Sequence, residues 1–260
     1  MTLGSNVVAV TGAASGIGFE TTRQLVLSGS RVALLDLDAS ALTVAACTIP
    51  HAEGQLMTIT ADTTETPQMD SAVSAITERF GRLDGLVACA GIRMQSTLTA
   101  ELEDDVWDRV IRVNLRGVFV ACRAAARPMM AAKSGAIVAI ASLSGQAPRI
   151  GQSAYCVSKA GVIQLARTLA LELAEHRIRV NAVCPGTVNT PLMKQAQIQE
   201  GPQVLQDRIY GSPTRFRPGI PLRQIAEPED IAATIMFLLS PAARDITGQA
   251  IFVDGGESIV

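Results

Sequence analysis

Asn6-Val7-Val8-Ala9-Val10-Thr11 runs directly into Gly12-Ala13-Ala14-Ser15-Gly16-Ile17-Gly18, and the join between them decides the fold. The first six residues form an apolar, β-branched run of the length expected for a strand buried on both faces. The glycines that follow, spaced G-x-x-x-G-x-G, permit a tight turn and let the backbone approach a ligand closely. A helix then reads from Ile17 to Ser28, so the turn opens a helix N-terminus, where the dipole favours negative charge. Eighteen residues after Gly18, Asp36 closes a second apolar run, Arg31-Val32-Ala33-Leu34-Leu35-Asp36. Strand, glycine turn, helix and an acid at the end of the next strand together read as a dinucleotide-binding unit.

The same alternation continues outward. Helices are expected over Ala39–Cys47, Thr66–Phe80, Asp104–Ala132, Ser153–Ala174 and Pro228–Leu239. Strands are expected over Gln55–Ala61, Gly85–Cys89, Ala136–Ala141, Arg179–Cys184 and Ala250–Val253. Near-continuous aliphatic strands alternating with helices imply an α/β fold, a single doubly wound parallel sheet of Rossmann type with helices on both faces. Ligands of such sheets sit at the carboxyl ends of the strands. Between Pro185 and Pro221 the pattern breaks, with ten prolines and glycines in that span. A long, partly helical surface excursion at about 186–222 is expected there, of the kind that carries function.

The totals fit one domain over residues 1–260, since 48% hydrophobic and 18% charged residues allow a large core. Only 3% of residues are aromatic, so that core is aliphatic. Twenty-two Lys and Arg against 24 Asp and Glu give no reason to expect nucleic acid or an anionic membrane as partner. No basic segment leads an apolar run at Met1-Thr2-Leu3-Gly4-Ser5-Asn6, so no signal peptide is expected, and no apolar stretch has the length of a membrane span. Five scattered cysteines without a C-x-x-C pair point to a reducing cytoplasm and to no metal site.

Asp36 offers a carboxylate to the two ribose hydroxyls of NAD and would repel the 2′-phosphate of NADP. Neither Ser15 nor Leu37 is the basic residue that could rescue NADP, and Asp38 is available to cap the next helix instead. Asp62-Thr63, ending the third strand, reads either as an adenine contact or as a turn former. At the other end, Ser142 closes the fifth strand, while Tyr155 and Lys159 lie four apart on one helix face. A phenol with a pKa near 10 is a poor base, but a nearby ammonium and the positive ring of NAD⁺ favour the phenolate. Tyr155 then takes the alcohol proton as hydride leaves the carbon, and Ser142 holds the substrate oxygen.

Thr11-Gly12-x-x-x-Gly16-Ile17-Gly18, Val113-Asn114-Leu115, Ser142, Tyr155-x-x-x-Lys159 and Pro185-Gly186 together resemble the short-chain dehydrogenase/reductase family over essentially the whole chain. The resemblance implies a catalytic set of Asn114, Ser142, Tyr155 and Lys159. In it Asn114 interrupts its helix and anchors a water that links Lys159 to solvent, and Lys159 also binds ribose hydroxyls. Implied cofactor contacts are Gly12, Ser15, Gly16, Ile17, Gly18, Asp36, Leu37, Asp62, Thr63, Ala90, Gly91, Pro185, Gly186, Val188 and Thr190, along with Tyr155 and Lys159. Homotetramers, built by pairing the 104–132 and 153–174 helices, are implied as well. One departure is visible: Ala88-Cys89-Ala90-Gly91 stands where the family carries N-N-A-G, so the stabilising side-chain amides are absent.

Ala147-Pro148-Arg149-Ile150-Gly151 and Phe216-x-x-Gly219-Ile220-Pro221-Leu222 are similar to the 2,3-dihydro-2,3-dihydroxybenzoate dehydrogenase subgroup, which oxidises a carboxylated cyclic diol with NAD⁺. Arg93 and Arg149 are the substrate-carboxylate candidates, with Arg215 and Arg217 behind them, because a guanidinium binds a carboxylate bidentately. Thr187-Val188-Asn189-Thr190-Pro191-Leu192 follows the general family pattern instead. A generic secondary-alcohol dehydrogenase, a 3-oxoacyl thioester reductase and a non-catalytic nucleotide-binding scaffold therefore stay open as alternatives.

Overall fold

The structure, a computed structural model, describes residues 3–260. Met1 and Thr2, at the start read as leaderless, lie outside the described residues. Seven parallel strands form one sheet in the order β3-β2-β1-β4-β5-β6-β9. These are β1 (Val7–Thr11), β2 (Arg31–Asp36), β3 (Leu56–Thr60), β4 (Gly85–Ala88), β5 (Gly135–Ile140), β6 (Ile178–Pro185) and β9 (Ala250–Val253). A two-stranded antiparallel ribbon, β7 (Gly211–Ser212) with β8 (Arg217–Pro218), lies apart from it.

Burial follows the two-residue period of a strand. Val7, Ala9, Ala33, Leu35, Leu86 and Ala88 enter one core beneath α3 (Thr66–Phe80), α5 (Gly117–Ala132) and α6 (Ser153–Glu172). Val8, Val10, Val32, Leu34 and Val87 enter a second core beneath α1 (Gly16–Leu27), α2 (Ala39–Thr48) and α9 (Pro228–Leu239). Covering both faces is what makes the strands apolar at nearly every position. The chain runs outward in both directions from β1 and β4, which pair with each other, so the strand ends open a crevice at that point.

Two features matter for the site: the interruption at Asn114 that the family resemblance implied, and the partly helical excursion. The helix expected over 104–132 is three segments: α4 (Asp104–Ile111), a π-helical stretch Arg112–Arg116, and α5. The wider turn is held by Asn114, which is fully buried and bonds the backbone of Ile92 in both senses. Beyond β6, the proline- and glycine-rich excursion folds into α7 (Pro191–Glu200), α8 (Gln203–Tyr210) and the β7/β8 ribbon. Met193, Ala196 and Val204 give it a small core of its own.

Candidate active site

A cavity of about 1040 Å³ opens at the carboxyl ends of the strands and runs from Asp36 to α8. Of the residues that the sequence assigned to cofactor, substrate or catalysis, all but Gly18 and Asn114 line it. Gly18 sits behind the glycine turn, where a Cβ would overlap the Gly12 carbonyl. Asn114 stands behind Gly91.

The dinucleotide end is built for close approach. Gly12 has φ +66°, and a Cβ there would lie 2.9 Å from the Ala90 backbone. Ser15 is the N-cap of α1 but makes no side-chain cap bond, so the first turn of that helix keeps its hydrogen-bonding capacity toward the cavity. Asp38 caps α2, its Oδ1 accepting from Ser40 N and Ala41 N at 2.9 Å each. Asp36 is thereby left to the cavity. Its carboxylate is oriented by bonds from Ala14 N (3.1 Å) and Asp38 N (3.3 Å). Asp62 accepts from Thr64 N at 2.8 Å, the turn-forming role, while still lining the cavity. The residues here fit a dinucleotide: a backbone cradle with no room for side chains, an uncapped helix start and a held carboxylate.

The missing N-N-A-G amides have a substitute that the sequence did not signal. Thr11 Oγ1 accepts from Cys89 N at 3.0 Å and from Ala90 N at 3.2 Å, tying the end of β1 to the end of β4.

At the other end, Ser142, Tyr155 and Lys159 meet. Ser142 Oγ accepts from Ser144 N at 3.1 Å, which leaves its proton free to donate. It stands near the Tyr155 hydroxyl, whose ionised form it favours. Tyr155 packs against Met94, Val110 and Ala154. Lys159 Nζ stands 5.8 Å from the Tyr155 ring centre and donates to Ile140 O at 2.9 Å. Burial raises the Tyr155 pKa above the ordinary phenol value, outweighing the lowering by Ser142, Arg208 and Arg93. This differs from the sequence expectation, in which the ammonium acidifies the phenol. The protein alone does not supply enough positive charge at the hydroxyl, so the balance would have to come from the oxidised ring of a nicotinamide.

Burial also brings Lys159 down from 10.5 to about 8. Between those values the unfolded chain holds a proton that the native chain has released, so stability rises with pH there; below about 8 the native state carries a buried cation. Lys159→Met should therefore raise stability near neutral pH by about 1–3 kcal/mol, roughly 5 °C in Tm. The gain should shrink toward pH 10, as scanning calorimetry at both pH values would read.

The candidate arginines line the cavity and are each ion-paired there. Arg93 is bonded to Gln199 (2.6 Å) and paired with Glu200. Arg149 pairs with Glu257 at 2.7 Å, and Arg217 reaches the same carboxylate at 2.9 Å. Arg215 lies 3.7 Å from Glu200. Arg208, which drew no attention in the sequence, also lines the cavity. Its signal was Val204, buried on the same face of α8 one turn earlier.

Comparison with known proteins fixes the family. Residues 12–258 match a protein-family model described as enoyl-(acyl carrier protein) reductase. A 2,3-dihydro-2,3-dihydroxybenzoate dehydrogenase of Bacillus subtilis (strain 168) is 34% identical over 253 residues, covering 97% of this chain and 96% of its own. This chain belongs to the short-chain dehydrogenase/reductase family. Solved structures of short-chain dehydrogenases/reductases superpose along almost the full length. A 3-ketoacyl-(acyl-carrier-protein) reductase from Brucella melitensis complexed with NADH gives a TM-score of 0.87 at 30% identity, covering 99% of this chain and 100% of that one. An actinorhodin polyketide ketoreductase variant with NADPH gives 0.88 at 32%, covering 98% of each chain. The chain is thus a short-chain dehydrogenase/reductase with a nicotinamide-cofactor fold, an oxidoreductase of alcohol and ketone substrates. Among the described residues no helix is long and apolar enough to cross a membrane.

Proposed function

We propose that this enzyme transfers hydride between NAD and a secondary alcohol or ketone carbon, with Tyr155 as the proton-transfer group. The observation that carries the reading is the meeting of Ser142, Tyr155 and Lys159 at one end of a cavity whose other end is acidic. Asp36, Asp38 and Asp62 line that far end, and among the described residues no Lys or Arg lines it beside them. A 2′-phosphate there would meet carboxylates and no cation, which supports NAD over NADP.

Gly12, Ser15, Gly16 and Ile17 would hold the pyrophosphate, with Gly18 keeping the turn tight. Asp36 would take the adenosine ribose hydroxyls beside Leu37, with Asp62 and Thr63 toward the adenine. Ala90, Gly91, Pro185, Gly186, Val188 and Thr190 would line the remaining length. NAD⁺, when bound, supplies the hydride acceptor and a positive ring. In the oxidative direction Ser142 donates to the substrate oxygen, orienting the carbinol. Tyr155 Oη accepts the hydroxyl proton as the C–H electron pair departs. Lys159 would hold ribose hydroxyls, and the positive ring of NAD⁺ would favour the phenolate. Asn114 and Lys159 flank Gly91, where a Cβ would lie 3.3 Å from Asn114 Oδ1 and 3.5 Å from Lys159 Nζ. Water between those two groups would return the proton to solvent.

Residues 1–260 act as one cofactor-binding and catalytic domain in this reading, with 186–222 covering the substrate. Exposed Phe119 and Met130 on α5, and Val157 and Leu171 on α6, support homotetramer assembly through those helices. Five unpaired cysteines support a cytoplasmic setting. A carboxylated cyclic diol, as in the substrate named for the Bacillus relative, is the favoured substrate, ahead of a simple secondary alcohol or a 3-oxoacyl thioester. The purified enzyme, given NAD⁺ or NADP⁺ and a panel of cyclic diols and secondary alcohols, should produce NADH absorbance with NAD⁺. No NADH formed from any alcohol with NAD⁺, and no NADH consumed by the corresponding ketones, would favour the scaffold alternative.

A further inference from the structure

Five guanidiniums, on Arg93, Arg149, Arg208, Arg215 and Arg217, line the end of the cavity away from Asp36. Two glutamates answer them. Glu200 takes Arg93 and Arg215, while Glu257, whose side chain is fully buried, takes Arg149 and Arg217. Arg208 is left over. It has no hydrogen bond or ion pair among the described residues, and its buried Nε finds no partner. Asp207 at the rim is engaged by Gln203 at 3.3 Å. Even with Asp207 counted against the five arginines, this end of the cavity remains positive.

A half-buried cation without a counter-ion loses hydration and gains nothing in return. Burial accordingly holds the Arg208 pKa below the usual guanidinium value, against the pull of Glu200, Glu257 and Tyr155. The arginines around it are immobilised by the shared glutamates, so the positive field is fixed in place before any ligand arrives. Arg208 is also among the charges acting on the Tyr155 hydroxyl, which places it near the reacting group.

Building on the hydride-transfer reading above, we propose that the substrate carries an oxyanion, a carboxylate or a sulfonate, and that Arg208 binds it. The fork of a guanidinium matches such a group bidentately and supplies the partner that the fold withholds. The anion would point toward α8, away from the acidic dinucleotide end, and so fix which carbon faces Tyr155. This assigns charge recognition to Arg208, because Arg93 and Arg149 already hold a glutamate oxygen each and Arg208 holds none.

Calorimetric titration of the cofactor-free enzyme with 3-hydroxybenzoate, 3-hydroxybenzenesulfonate and 3-hydroxybenzamide tests this without turnover. The two anions should bind roughly tenfold or more tightly than the amide. Arg208→Gln should erase that preference and leave amide binding unchanged, while Arg208→Lys should restore part of it. Melting curves of both variants check that the fold is retained. Equal binding of all three probes to the wild type, no binding of any at millimolar concentration, or an equal loss for all three in Arg208→Gln would overturn the proposal. Failure of the hydride-transfer reading looks different: no alcohol would yield NADH, yet the Arg208-dependent anion preference would persist.

Discussion

Tyr155→Phe should lower turnover by about 10²–10⁴-fold, the usual contribution of a positioned proton-transfer group, while NADH binds with nearly unchanged affinity. The substitution removes one oxygen and keeps the ring. Its contacts with Met94, Val110 and Ala154 persist, as does the approach of Lys159 to the ring face. What disappears is the hydroxyl near Ser142 that exchanges the substrate proton in the proposed mechanism. Initial rates paired with a fluorescence titration of NADH separate the two effects. A variant that keeps near wild-type turnover would remove Tyr155 from the chemistry, and a parallel loss of NADH binding would make its role structural.

The next largest effect is expected at the opposite end of the cavity. Asp36→Ala should narrow the kcat/KM preference for NAD over NADP by roughly 10- to 100-fold, the loss expected when a charged hydrogen-bond partner is removed. Both directions contribute. Ribose hydroxyls lose an acceptor already oriented by Ala14 N and Asp38 N, and a 2′-phosphate loses a repelling charge. The preference should not invert, since Asp38 and Asp62 remain in the lining and no cation joins them. Measuring kcat/KM with both cofactors decides the matter: an unchanged ratio would assign selectivity to another group.

Much of this arrangement was legible in the residues. The strand over Arg31–Asp36, the helices over Thr66–Phe80 and Pro228–Leu239 and the strand over Ala250–Val253 stand where periodicity and turn residues put them. Local signals sufficed there because each element carries its own cap or breaker. The division of labour between Asp36 and Asp38 was also readable, since an N-cap acts within three residues.

What escaped the sequence depends on contacts between distant positions. The helical period runs unbroken through residues 112–116, so the interruption at Asn114 followed from the family resemblance and not from periodicity; Asn114 there bonds Ile92, 22 residues earlier. Arg93 and Arg149 looked free because their glutamates lie 107 and 108 residues away. Arg208 was overlooked for the converse reason: no glutamate claims it, and the eight-residue helix that carries it is too short to show a clear period. Thr11 reads as an ordinary strand end until its hydroxyl is seen holding Cys89 and Ala90.

The central claim concerns which atom moves the proton. Single-turnover rates of NADH formation from enzyme, NAD⁺ and a competent alcohol, measured across pH, test it most directly. The wild type should show a rate that climbs tenfold per pH unit to a plateau as one group ionises, and Tyr155→Phe should show a low rate without that ionisation. If the same climb survives in Tyr155→Phe, the proton goes elsewhere and the assignment of Tyr155 is wrong.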